Sequence, residues 1–284
     1  MAQWSGVAGK RVVITGATNG IGLAGAIELA ARGAQLTLVA RSEDRAAVAV
    51  ARIGARARED ATIEVAFCDL SLQASVRALA AELLERHGRI DVLINNAGAI
   101  YSGRELSGDG IELTWAVNHL APFLLTELLL ERLVASAPAR IVTTSSAAHR
   151  GRSLTLETAD GKGSRGFRRY GETKLANILF TTELARRIEG RGVTANCFHP
   201  GLVASGFNRN NGRLANAAMV LMRPFARTPV EGARTLVWLA DSDEVSAISG
   251  GYFADEQLET PSEEARDAAA ARALWELSSA QVGL

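Results

Sequence analysis

Val12-Val13-Ile14-Thr15-Gly16-Ala17-Thr18-Asn19-Gly20-Ile21-Gly22-Leu23-Ala24-Gly25-Ala26-Ile27-Glu28-Leu29-Ala30-Ala31 joins three compositions in one run. A β-branched stretch, a glycine-rich turn and an Ala/Leu-rich segment read as strand, tight turn and helix. Glycine has no Cβ, so such a turn can take positive φ and approach a ligand closely. The first N–H groups of the helix point at the turn without intrahelical partners, and an anion fits there. The pattern predicts a dinucleotide pyrophosphate on this turn. Its spacing is Gly-x-x-x-Gly-x-Gly, not the common Gly-x-Gly-x-x-Gly.

The same alternation continues outward from this unit. Short Val/Ile/Leu runs at 11–15, 35–40, 62–68, 92–95, 140–144, 193–199 and about 250–253 predict strands. Ala/Leu/Arg stretches at 21–32, 43–58, 72–87, 110–136, 170–190 and 230–240 predict helices. Strand and helix taking turns argues for an α/β fold, a doubly wound, Rossmann-type parallel sheet of about seven strands with helices on both faces. Several strands are apolar at successive positions, which suits a sheet covered on both sides. No repeat, low-complexity tract or linker divides residues 1–284, and they read as a single domain. Two stretches break the pattern. The Gly- and Arg-rich run 150–169 reads as a loop. Residues 207–227 carry Met219, Leu221 and Met222 in an apolar middle, and read either as an extra packed helix or as a cover over a ligand site. Residues 262–281 predict a C-terminal amphipathic helix packing through Ala265, Ala269, Leu274, Trp275 and Leu277.

With 31 Lys and Arg against 31 Asp and Glu, the charge balance carries no nucleic-acid footprint. The composition, 48% hydrophobic and 22% charged, is that of an ordinary globular protein. The sequence shows no long uncharged apolar span and no signal-peptide core, from which a soluble, cytoplasmic protein without an integral membrane anchor is expected. Cys68 and Cys197 lie in or beside apolar runs and are expected to be buried free thiols, with no metal site.

A second candidate site is Tyr170-Gly171-Glu172-Thr173-Lys174, heading a strongly helical segment. Residues at i and i+4 share a helix face. An ammonium near a phenol favours the phenolate and lowers a pKa that is ordinarily about 10, which makes a general acid/base usable near neutral pH. Elsewhere Ser145-Ser146 ends the 140–144 run, Asn95-Asn96-Ala97-Gly98 ends the 92–95 run, and Asn118 lies within 110–136. Ligands of doubly wound sheets bind at the carboxyl ends of the strands, so these residues are expected to converge. Blander readings suit the remaining polar residues. His149 reads as a loop histidine near solvent, His199 as shaping the turn before Pro200, and Arg165, Arg168 and Arg169 as a solvated basic loop.

In these motifs, their order and their intervals, the sequence resembles the short-chain dehydrogenase/reductase family over nearly its whole length. Thr15 to Gly22 matches the family's TGxxxGIG loop, Asp69-Leu70 its adenine-side acidic position, Asn95 to Gly98 its NNAG and Pro200-Gly201 its PG turn. The resemblance implies cofactor contacts from Gly16, Thr18, Asn19, Gly20, Ile21, Gly22, Asp69, Leu70, Asn96, Ala97, Gly98, Pro200, Gly201, Val203 and Ser205. Asn118, Ser146, Tyr170 and Lys174 match the catalytic tetrad. It implies that Tyr170 exchanges the proton, Ser146 hydrogen-bonds the substrate oxygen, Lys174 lowers the Tyr170 pKa and binds the nicotinamide ribose, and Asn118 holds a water beside Lys174. Within the family, Tyr170 to Asn177, Glu183 to Arg187, His199 to Gly201, Gly250 to Phe253, Leu274-Trp275 and the long interval from Ser146 to Tyr170 are similar to the retinol dehydrogenase-like and WW-domain oxidoreductase-like branch. Members pair through helices corresponding to 110–136 and 170–190, which implies a homodimer or homotetramer unless loop 150–169 lies over one of those surfaces.

The cofactor turns on Leu38-Val39-Ala40-Arg41-Ser42. An NAD site wants a carboxylate for the ribose 2′-hydroxyl, whereas a 2′-phosphate wants a guanidinium. Ala40 offers no carboxylate and Arg41 offers the cation, which predicts NADP(H) over NAD(H). The expected substrate is a small lipophilic aldehyde, ketone or secondary alcohol. Two alternatives stay open: an NADP(H)-binding sensor or scaffold, against which the intact tetrad argues, and a sugar-nucleotide epimerase, whose glycine spacing and larger C-terminal part differ.

Overall fold

Strand β1 (Arg11–Thr15) buries Val12 and Ile14 in one core and Val13 in another, because successive strand side chains point to opposite faces. Residues 4–103, 105–154, 164–203 and 226–284 are described by a computed structural model. Beside β1 lie β2 (Gln35–Ala40) and β4 (Val92–Asn95), both parallel to it. With β3 (Ile63–Phe67), β5 (Ala139–Thr144), β6 (Val193–Phe198), β7 (Tyr252–Ala254) and β8 (Gln257–Glu259) they form one sheet of order β3-β2-β1-β4-β5-β6-β7-β8. The order reverses between β1 and β4, which opens a crevice at their carboxyl ends.

The sheet has eight strands where the sequence predicts about seven, and the added β8 runs antiparallel to β7. The two join through Asp255 and Glu256, both at positive φ (49° and 62°). Such a turn usually announces itself with Asn-Gly or Asp-Gly, and this one does not.

Helices α1 (Gly20–Ala31), α2 (Glu43–Gly54) and α6 (Pro229–Asp241) cover one face of the sheet. Thr228 and Glu231 start α6 with a reciprocal capping box. The other face is covered by α3 (Gln73–Arg86), α4 (Leu113–Ala135), α5 (Gly166–Arg187) and α7 (Ala268–Val282). By length and hydropathy α4 could cross a membrane, but 72% of its most apolar window is buried within the protein. It is not regular: a π-helical turn, Ala116–Leu120, interrupts it. Such turns recur at functional sites.

α7 lies across this face. Trp275 stacks on Phe180 of α5 (5.8 Å) and meets Phe123 of α4 edge-on (5.0 Å), while Arg187 of α5 sits 4.3 Å over its ring. Trp115 of α4 donates to Gln281 at 3.0 Å, and Gln73 of α3 donates to the Gln281 carbonyl at 2.9 Å. The helix begins at Ala268 with Asp267 as its cap, not at 262. Ala269 is consequently exposed and Ala271 is buried in its stead. The resemblance offers α4 and α5 as pairing helices, and α7 packs on them.

That loop is shorter than expected. Ala147–His149 forms a 3-10 turn and α5 starts at Gly166, while residues 155–163 lie outside the described residues. Most of the expected cover at 207–227, including Ser205 just before it, falls in the undescribed stretch 204–225. Cys68 and Cys197 are free and buried.

Candidate active site

Gly16 sits at φ +70°, and a Cβ there would lie 2.8 Å from Ala97 Cα. A Cβ on Gly22 would collide with the Gly16 carbonyl and the Asn96 amide. Both positions therefore require glycine. Asn96 donates from Nδ2 to the Thr15 and Gly16 carbonyls, at 3.1 and 3.3 Å. Thr15 Oγ1 accepts from the Asn96 and Ala97 N–H groups, at 3.0 Å each. Strand ends β1 and β4 are thus laced into one floor, with α1 beginning directly above it. The α1 cap residue, Asn19, makes no side-chain capping bond, so the first N–H groups of the helix face the cleft open to an anion.

The cleft measures about 950 Å³. It runs from Arg41 past the glycine turn to Tyr170. Gly16, Thr18, Asn19, Gly20, Ile21, Gly22, Arg41, Asp69, Leu70, Asn96, Ala97, Gly98, Ser146, Tyr170, Lys174, Pro200, Gly201 and Val203 all line it. An extended dinucleotide fits a cleft of this size and lining. Among the described residues, no cluster of three or more His, Cys, Asp or Glu side chains could hold a metal.

At the far end Tyr170 is half-buried and hydrogen-bonded with Ser146. Lys174 Nζ stands 5.4 Å from the Tyr170 ring centre and donates to the Thr144 carbonyl at 2.9 Å. The expected drop in the Tyr170 pKa is not realised. Desolvation dominates and pushes the phenol up to about 12, opposed only by the Ser146 bond. Burial also brings Lys174 down to about 8.

Asn118 sits in the π-helical turn and does not line the cleft. Its Oδ1 accepts from Ala99 N–H at 2.8 Å, while Nδ2 donates to the Ala99 carbonyl and to Thr173 Oγ1 at 2.9 and 3.2 Å. This side-chain amide braces the loop that brings Gly98 beside Lys174.

The short chain dehydrogenase family model matches residues 10–214. The chain belongs to that family. This short-chain dehydrogenase is 41% identical to retinol dehydrogenase 14 of Mus musculus, covering 97% of this chain and 86% of that one. It is 40% identical to retinol dehydrogenase 12 of Homo sapiens, covering 97% and 87%. Among solved structures, an uncharacterized protein of Mycobacterium paratuberculosis superposes with a TM-score of 0.78 at 32% identity, covering 99% of this chain and 98% of that one. A Burkholderia cenocepacia short chain dehydrogenase in complex with NADP gives 0.70 at 28% identity, covering 87% and 96%.

Two bland expectations fail in this dehydrogenase. Arg169 is fully buried, paired with Glu112 at 3.0 Å and Glu172 at 3.3 Å, and its guanidinium lies 4.5 Å over Trp115. Arg168, next to it, is indeed exposed. His149 is fully buried as well: Nδ1 donates to the Ser146 carbonyl at 2.7 Å and Nε2 accepts from Ser262 N–H at 3.2 Å. His199 does shape its turn, accepting from Gly201 N–H at 3.2 Å. Sequence reasoning missed Arg45, in the first turn of α2, and Tyr101, hydrogen-bonded to Arg41; both line the cleft. The nearness of Arg45 to Arg41, just across the start of α2, was the available signal.

Proposed function

We propose that this short-chain dehydrogenase is an NADP(H)-dependent oxidoreductase of a small lipophilic aldehyde, ketone or secondary alcohol. The observation that carries the reading is the Ser146–Tyr170–Lys174 group at one end of the cleft that the glycine turn opens. A nicotinamide cofactor, when bound, supplies the hydride exchange. The chain supplies the rest. Tyr170 hands its phenolic proton to the carbonyl oxygen in reduction and takes it back in oxidation. Ser146 places a second donor where negative charge develops on that oxygen. Lys174 holds positive charge beside the phenol and offers N–H donors to a ribose. Exposed Phe167 and Leu202 give the cleft an apolar mouth, and the retinol dehydrogenases named above point the same way.

The preference for the 2′-phosphate rests on Arg41 and Arg45, with Ala40 in place of a carboxylate. Arg41→Ala is expected to weaken NADPH binding by about ten- to a hundredfold, the worth of charge-assisted hydrogen bonds to phosphate, with NADH unaffected. Titration of both cofactors by fluorescence checks it. Equal losses for the two would remove the NADP assignment. For the reaction itself, the test is oxidation of NADPH offered with aliphatic, aromatic and retinoid-like carbonyls. Tight NADPH binding without turnover on any of them, or on alcohols with NADP⁺, would favour a sensor instead.

A further inference from the structure

Lys174 shares its acceptor. Asn177, one turn further along α5, donates from Nδ2 to the same Thr144 carbonyl at 3.3 Å. A backbone carbonyl only accepts, so Asn177 has to present its NH₂ there and turn Oδ1 away. Oδ1 faces His119 Nδ1 at 3.4 Å. An amide oxygen requires a donor, which places the His119 proton on Nδ1. His119 Nε2 is then an acceptor, and Ser278 Oγ of α7 lies 2.8 Å from it and donates. Lys174, Asn177, His119 and Ser278 are all buried. Every bond in the chain has one permitted direction, and reversing any of them sets two acceptors or two donors face to face.

Resting on the role of Lys174 proposed above, we propose that Asn177 and His119 are positioning residues for Lys174, and that Ser278 locks them from the C-terminal helix. Thr144 ends β5, and Asn177 pins α5 to that strand end one turn from Lys174. The pin sets where the ammonium stands relative to Tyr170. The surroundings keep the lock neutral. Arg169 is the charged group near His119 and opposes its protonation, while burial takes the imidazole down to about 3. Tyr170 and the Gly98–Asn118 loop are what face Lys174.

The first test needs no turnover. With ¹⁵N-labelled histidine the protein has four side chains to resolve, and His119 is assigned by its absence in His119→Gln. The expected spectrum is a neutral Nδ1–H tautomer that does not titrate from about pH 5 to about pH 9. The opposite tautomer, or titration in that range, overturns the proposal. The second test compares Ser278→Ala, which removes one hydroxyl, with His119→Phe and His119→Gln. Ser278→Ala is expected to lower kcat about threefold and His119→Phe about tenfold, with KM within about twofold and a displaced alkaline limb of the pH profile. His119→Gln, which can still donate to Asn177, is expected to recover most of the loss. In parallel the Lys174 titration is read from ¹³C-labelled lysine, where only Lys10 and Lys162 compete. An altered Lys174 titration in His119→Phe supports the lock even if no substrate is found. An unaltered titration and pH profile, with only the melting temperature lowered, would reduce these residues to packing and overturn it.

Discussion

Tyr170→Phe is expected to lower turnover about a thousandfold while leaving NADPH binding within about twofold, because it removes the proton-carrying hydroxyl and keeps the ring. The phenol is the sole hydroxyl among the described residues that is both bonded to Ser146 and beside Lys174. Retention of more than about a tenth of the parent rate would remove Tyr170 from the chemistry. The pH dependence follows with a definite sign. Carbonyl reduction needs the phenol protonated, and burial holds its pKa at about 12, so the acid form is in place throughout the neutral range. Reduction is therefore expected to be flat through neutrality and to decline above about pH 8, where Lys174 loses its charge. Alcohol oxidation needs the same oxygen as a proton acceptor and is expected to rise with pH over that range.

Arg169→Met is the largest expected change in stability, a loss of about 3–5 kcal/mol. One cation lies among buried carboxylates. Glu112 holds Arg169 Nε at 3.0 Å while also capping the start of α4 through Thr114 and Trp115 N–H. Glu172 receives Arg169, Arg168 and the Ser164 hydroxyl. Removing the guanidinium takes the buried Glu112 carboxylate's cation away and leaves Glu172 with the exposed Arg168 alone, and at about 2–4 °C per kcal/mol the melting temperature should fall by about 10 °C. Arg168→Met, at an exposed neighbour on the same helix, is expected to change stability by less than about 0.5 kcal/mol. Urea denaturation of the pair decides the matter. Similar midpoints would mean that Glu112 and Glu172 find other compensation.

What the sequence reveals about this molecule is what short spacing controls. The glycine turn with its flanking strand and helix is local, and so is the i, i+4 placement of Tyr170 and Lys174 on one helix. The convergence of Asn96, Ser146 and Tyr170 was expected from the strand–helix alternation, because a doubly wound sheet gathers its ligands at the carboxyl ends of its strands. Arg169 was illegible for the opposite reason. Its flanking residues read as a basic loop, and the carboxylate that buries it, Glu112, stands at the head of a different helix. His149 likewise gains its partner from Ser262, and His119 from Ser278, at distances along the chain that no periodicity reaches. Strand β8 was missed because Asp255-Glu256 makes its hairpin without a glycine.

The seat of Trp275 between Phe123 and Phe180 has a consequence for concentration. A surface covered by its own chain is covered in a unimolecular step, at an effective concentration fixed by the tether and indifferent to dilution. Two free copies meeting through the patch that Trp275 occupies would have to displace that tethered helix first, at whatever protein concentration prevails. In this dehydrogenase the aromatic stripe is shielded in the most dilute solution, and self-association through it begins at a disadvantage set by the chain itself.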